Sequence, residues 1–208
     1  MADASEMLAI SHGGLSTANF KFEPSFEEHT PGTWIQGDIV DSSGANVGNF
    51  VRRVYQEDGR LKVEHTNLKL DAELQGQGFA QAFNKQLFDW YRSSGVREVR
   101  LTANIDVGGY AWARAGYDWA DGVAAENIRT ELSRTAAAGD ERIPSDRLGE
   151  QRRLAAEMED RFSGPRGDNY PTPYEVSQLG RWPGAGKDDW WIGKAAMMGS
   201  EWEAVIQP

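Results

Sequence analysis

Between residues 34 and 70 apolar and polar positions alternate in three runs, 34–40, 47–55 and 61–70. A period of two marks half-buried strands, so the spacing predicts three of them. Asp41-Ser42-Ser43-Gly44 supplies the first turn, and Asp58-Gly59 between β-rich runs supplies a hairpin. Asn19 to Phe22 offers an earlier strand. The third run changes phase. Leu61 and Val63 place apolar side chains at odd positions, whereas Leu68 and Leu70 place them at even ones. Either an extra residue sits near Thr66 or Asn67 as a β-bulge, or the strand ends before Leu68.

The period then lengthens. Phe79, Phe83, Leu87, Trp90 and Tyr91 fall at helical spacing, with Gly95 as the cap. A short strand over 96–102 and a short helix over 107–115, ended by Gly116, follow. Strand, glycine-rich loop, helix and strand in that order predict a parallel β-α-β unit after antiparallel strands. In the last third, Ala125, Ile128, Leu132 and Ala136 mark one helix. Leu148, Ala155, Met158 and Phe162 mark a second, with Ser145 as its expected N-cap. Proline and glycine dominate residues 163–186, and the end is tryptophan-rich. A boundary is expected near Gly122, giving a core over 1–122 and a helical, Trp-rich extension over 123–208. No repeat or low-complexity tract interrupts the chain.

Charge narrows the partners. Lys and Arg number 22 against 32 Asp and Glu, a net charge of −10. Nucleic-acid affinity depends largely on a basic face, so no nucleic-acid partner is expected, and no anionic membrane surface either. No stretch approaches the ~20 apolar residues of a membrane helix. Residues 1–14 carry Asp3 and Glu6 where a signal peptide carries basic residues, so a cytoplasmic setting is expected. Without cysteine there is no thiolate nucleophile or Cys-ligated metal. His12, His29 and His65 lack the spacing of a ligand set, so no metal is expected.

The segment that carries chemistry is residues 74–80, between a strand and an amphipathic helix. Glycines there let backbone N–H groups approach an anion, and the helix N-terminus adds positive potential. The bland alternative is a tight turn with no ligand. A dinucleotide fingerprint fails because Gln81 stands where its third glycine belongs and Glu98 begins the next strand. A phosphate loop of the Walker type fails at Gly186-Lys187, where Asp188 follows the lysine. The pattern Q/R-x-x-G-x-G/A is met by Gln75, Gly78 and Ala80.

With that pattern, residues 61–120 resemble the GNAT (Gcn5-related N-acetyltransferase) superfamily. Ala115-Gly116-Tyr117 resembles its closing L-G-F. The resemblance implies an α/β (α+β) fold with a mixed, splayed sheet flanked by helices, and acetyl-CoA or another acyl-CoA as co-substrate. It implies that Gln75, Gly76, Gln77, Gly78, Phe79 and Ala80 wrap the CoA diphosphate. Leu68 and Leu70 would pair with pantetheine, and Asn104 would make a polar contact. It also implies an N-acyltransferase whose acceptor is the amine of a small molecule or peptide. An amine is mostly protonated at pH 7, so a base is needed, and Glu64 is the favoured candidate ahead of Asp38 and Asp71. Without cysteine, direct attack in a ternary complex is expected.

Two departures matter. Trp112 stands where the family often has a tyrosine acid, leaving Tyr110 as the nearby hydroxyl. Between Phe22 and Trp34 there is no room for two helices, so the acceptor wall would come from 123–208. A non-catalytic acyl-CoA-binding module and a toxin- or phage-associated interaction domain are the alternatives. Trp34, Trp90, Trp112 and Trp119 read as packing residues. Trp182, Trp190, Trp191 and Trp202 read as a clamp for the extension or as an acyl or acceptor surface.

Overall fold

A computed structural model describes residues 10–25, 31–103 and 108–208. Its contacts divide the chain into two units, one running to Leu101 together with Ile206–Pro208, the other spanning Thr102–Val205. The expected boundary near Gly122 lies inside the second.

In the first unit, strands follow the order β1 to β6: β1 (Ser11–His12), β2 (Leu15–Ser25), β3 (Gly32–Val40), β4 (Asn46–Glu57), β5 (Arg60–Leu70) and β6 (Glu98–Ala103). β1 through β5 pair antiparallel, and β5 pairs parallel with β6. The sheet is therefore mixed. At the β4–β5 turn Asp58 and Gly59 both have positive φ, the geometry that matches strand twist in a two-residue hairpin. Gly13 and Gly14 close the β1–β2 hairpin in the same way.

The phase change in β5 is a bulge. Val51 pairs with Asn67 and Arg52 with His65, so Thr66 has no partner across the ladder. Odd residues before it and even residues after it share a face: Val63 and His65 lie opposite Val54 and Arg52, Leu68 lies opposite Phe50. Helix α1 (Phe79–Ser93) covers this face with buried Phe79, Phe83, Leu87 and Tyr91. The rings of Phe50 and Phe83 stand 4.8 Å apart. α1 ends with Gly95 at φ 78°, where the Val96 N–H reaches the Tyr91 carbonyl at 2.9 Å.

The second unit contains α2 (Gly108–Arg114), β7 (Asp118–Trp119), α3 (Gly122–Ala138), α4 (Leu148–Phe162), α5 (Pro173–Gln178), α6 (Ile192–Met197) and β8 (Trp202–Ile206), with β7 antiparallel to β8. Asp121 caps α3 through the Ala124 N–H at 2.9 Å. Ser145 does not cap α4. Residues 145–147 form a turn closed by Arg147 N–H to Pro144 C=O, so the helix starts at Leu148 without a side-chain cap. The tryptophans of this unit pack against its own residues. Trp202 meets Trp119 at 4.9 Å, and Trp191 donates its indole N–H to the Ser177 carbonyl. Trp190 and Trp182 lie under Arg142 and Arg147.

Gly48 lets β4 and β5 close together beside the end of β5. A Cβ there would stand 2.3 Å from the Lys69 carbonyl oxygen. Gly48→Ala is expected to cost about 1–3 kcal/mol, as overpacking does. The melting temperature should fall by roughly 2–12 °C; an unchanged melting curve would contradict the close approach.

Candidate functional site

The ladder between β5 and β6 runs from Lys62–Glu98 to Glu64–Arg100. Beyond Glu64, among the described residues, β5 has no strand partner on that side. Its far end remains paired with β4 over residues 67–70. The Asp71 N–H donates to the Val47 carbonyl at 2.9 Å. In an antiparallel pair the bonded residues alternate, so the N–H and C=O of Leu68 and Leu70 point to the open edge. The Gln75 side chain already uses one of these groups, donating from Nε2 to the Leu70 carbonyl at 3.0 Å.

The chain then makes a single 3₁₀ turn, Ala72–Leu74, and enters the loop. Gly76 and Gly78 have φ of 76° and 84°, conformations that side chains rarely adopt. Gly78 is the N-cap residue of α1 and makes no side-chain cap. The first intrahelical bond is Ala82 N–H to Gly78 C=O at 3.1 Å, so the N–H groups of Phe79, Ala80 and Gln81 open outward. The Phe79 side chain is buried against Phe83, anchoring this first turn. His12 lies on the loop's flank: Nε2 is 3.2 Å from the Gln77 carbonyl and 3.2 Å from where a Gly78 Cβ would be. The sequence pattern weighed His12 only as a metal ligand and did not place it beside the loop. Gly13-Gly14, a hairpin signal between His12 and Leu15, could have revealed it.

Glu64 is on the opposite face of β5 from α1. Its side chain is 41% exposed, and Arg53, its cross-strand neighbour, stands 4.0 Å away. The Arg53 guanidinium lies over Trp34 and Tyr55. Arg100 faces Glu64 from β6. Asp38 is on β3, paired with Asn49 of β4, and Asp71 begins the turn after β5. Tyr110 belongs to the second unit, with its ring 6.0 Å from that of Trp191. Trp112 packs edge-on against Tyr117. Asn104, His29 and the expected helix start at Val107 lie outside the described residues. Among the described residues no helix is long and apolar enough to cross a membrane.

Beneath α1 lies a buried polar group of three. His65 Nε2 is 3.0 Å from the Tyr91 hydroxyl. Arg52, 1% exposed, donates from Nη1 to the Val51 carbonyl at 2.8 Å and to the Asn67 carbonyl across the bulge. Burial, and secondarily the Arg52 charge, hold the His65 imidazole well below its ordinary pKa. Burial raises the Tyr91 hydroxyl pKa.

No protein-family model matches the chain, and no curated protein matches it. Solved structures to which parts of it are similar include GNAT-family acetyltransferases. One is a GCN5-related glucosamine N-acetyltransferase region of a fungal multi-domain GH3 β-N-acetylglucosaminidase, at 19% identity and TM-score 0.30, over 33% of this chain and 8% of that one. Another is Arabidopsis thaliana Naa50 with the bisubstrate analogue CoA-Ac-MVNAL, at 15% identity and TM-score 0.35, over 41% and 58%. A third is a GNAT family acetyltransferase from Elizabethkingia anophelis with acetyl-CoA bound, at 13% identity and TM-score 0.36, over 53% and 80%. The chain thus spans less than two thirds of the first two. With TM-scores this low, these likenesses assign no chemistry to the chain.

The buried imidazole makes stability depend on pH. Its folded pKa lies below the unfolded value of 6.5, so below about pH 6.5 the unfolded chain binds a proton that the folded chain refuses. Stability should therefore fall with acidification by up to ~1.4 kcal/mol per pH unit from this residue, until the folded-state pKa is reached. Chemical denaturation from pH 5 to 7.5 should show that component disappearing in His65→Gln; parallel curves for both proteins would exclude it.

Proposed function

We propose that the first unit binds an acyl-CoA and that the protein transfers the acyl group to an amine. The observation that carries this reading is the open edge of β5 running into a helix N-terminus. An open strand edge accepts amides by extending the ladder, and outward N–H groups at a helix start accept a diphosphate. Pantetheine diphosphate has both groups in that order. Leu68 and Leu70 would hold the amides, and Gly76, Gln77, Gly78, Phe79 and Ala80 the diphosphate, with Gln75 bracing the loop against the strand.

In the proposed reaction the amine nitrogen attacks the thioester carbonyl, the C–S bond breaks, and CoA leaves as the thiolate. The proton lost by the amine goes to the half-exposed Glu64 carboxylate, directly or through one water. A thiol's pKa near 8.5 makes the thiolate a good leaving group that water can protonate, so the chemistry does not require Tyr110. Binding without turnover is the second reading, favoured by the Arg53 guanidinium already beside Glu64.

Titration calorimetry with CoA tests binding first. Wild type should bind, and Gly78→Glu should lose the heat signal, since a carboxylate would stand where N–H groups meet the diphosphate. Equal affinities would remove the loop from the site.

Thiol release from acetyl-CoA with an amine panel then separates the two readings. Glu64→Gln should lower kcat/KM by about 10²–10⁴ while leaving CoA affinity unchanged. The deficit should shrink as pH rises toward the amine's own pKa near ~10.4, where free amine needs no base. A pH–rate profile superimposable on wild type would clear Glu64 of that role.

A further inference from the structure

Arg52 is the most deeply buried charged side chain among the described residues, and its contacts converge on the bulge. Nη1 bridges the carbonyls of Val51 and Asn67, the residues that pair immediately beside unpartnered Thr66. The guanidinium lies 5.7 Å from the Phe50 ring and 5.8 Å from the Phe83 ring of α1. Its charge also acts on the Tyr91 hydroxyl, two turns further along the same helix. A buried charge is a costly way to fill a core position, and apolar residues of similar volume are often as stable or more so. What a guanidinium adds is a planar fork that can hold two carbonyls of neighbouring strands at a set spacing.

That spacing has a consequence for the open edge. A slip of one residue in β5 would bring Thr66 into the ladder and turn residues 67–70 over. It would exchange the backbone groups aimed at β4 with those aimed outward. Leu68 and Leu70 would then present their N–H and C=O to β4, and the edge would offer those of Asn67 and Lys69.

We infer that Arg52 is a positioning residue that selects, through the bulge, which backbone groups the edge of β5 offers to an amide-bearing ligand. The inference rests on the acyl-CoA reading above. It predicts an effect greatest on the pantetheine half of the ligand, because the diphosphate loop is anchored separately by Phe79, buried against Phe83.

Two ligands separate the halves: CoA, and 3′-phosphoadenosine 5′-diphosphate, which lacks pantetheine. Arg52→Lys keeps the charge but loses the fork. Its Kd for CoA should rise about tenfold, the worth of a strong hydrogen bond, while its Kd for the nucleotide stays within about twofold of wild type. Phe50→Leu removes one ring beside the guanidinium, leaves the Phe79–Phe83 contact in place, and should give the same asymmetry at about threefold. If Arg52→Lys does not fold, Phe50→Leu decides alone. Unchanged CoA affinity, or equal weakening of both ligands, overturns the positioning role and leaves the binding site standing. A wild-type protein that binds neither ligand overturns the acyl-CoA reading itself and the inference with it.

Discussion

Between Val51 and Arg52 the ladder to β5 passes over Thr66, and the buried guanidinium of Arg52 holds the carbonyls of Val51 and Asn67, the pair next to that gap. Much of the first unit follows from this one irregularity. Before it, odd residues of β5 face α1 and even ones face away; after it the assignment reverses. His65 can therefore be buried against Tyr91 and Phe88 while Leu68, three residues later, still shares the same face. A straight strand would place either His65 or Leu68 on the wrong side. The bulge also lies directly beyond the last paired residue of the β5–β6 ladder, so the strand leaves its parallel neighbour and changes phase within two residues.

The division of faces separates packing from exposed chemistry. Toward α1 the sheet offers Phe50, Arg52, Val63 and His65, all buried, with the charge of Arg52 shared among carbonyls, a hydroxyl and ring faces. On the other face Arg53 lies over Trp34 and Tyr55 beside Glu64, and Lys62 bridges Glu57 and Glu98 at 2.7 and 3.2 Å. Three cations meet three carboxylates there, counting Arg100 with Glu98. Ion pairs in which a buried cation meets a partly solvated carboxylate exchange Coulomb gain for desolvation and contribute little net stability individually. Their effect is to set the direction and surroundings of Glu64, whose carboxylate stands 4.0 Å from the Arg53 guanidinium.

Local pattern carried most of the first unit. The three alternating runs, the Asp58-Gly59 hairpin, the phase change at Thr66 and the helix after Gly78 could all be read because each rests on neighbours within a few residues. The β1–β2 hairpin was missed although Gly13-Gly14 signals it, because two flanking residues are too few to show a period. Arg52 looked like an ordinary strand residue, since its task depends on a carbonyl 15 residues away. In the second unit, proline and glycine hid two short helices. α5 carries a local mark that went unread: Thr172, Pro173 and Glu175 make a capping box with proline at the first position, and both halves of it are formed. α6 had no such local mark. It is buried along its whole length and begins at Trp191 without a side-chain cap, so only tertiary packing defines it.

A net charge of −10 does not oppose the binding of a single diphosphate. Counterion release along a nucleic acid needs many cations spread over a surface, which this chain does not have to spare. One diphosphate at one helix start needs only a few N–H groups aimed at it and the adjoining helix potential, both set by backbone geometry. In the loop that geometry comes from positive φ at Gly76 and Gly78 and from a buried Phe79, and it involves no Lys or Arg between residues 70 and 84. Overall acidity therefore weighs against a polyanionic partner without weighing against a small anionic ligand. The two conclusions coexist because one depends on total charge and the other on the direction of a few dipoles.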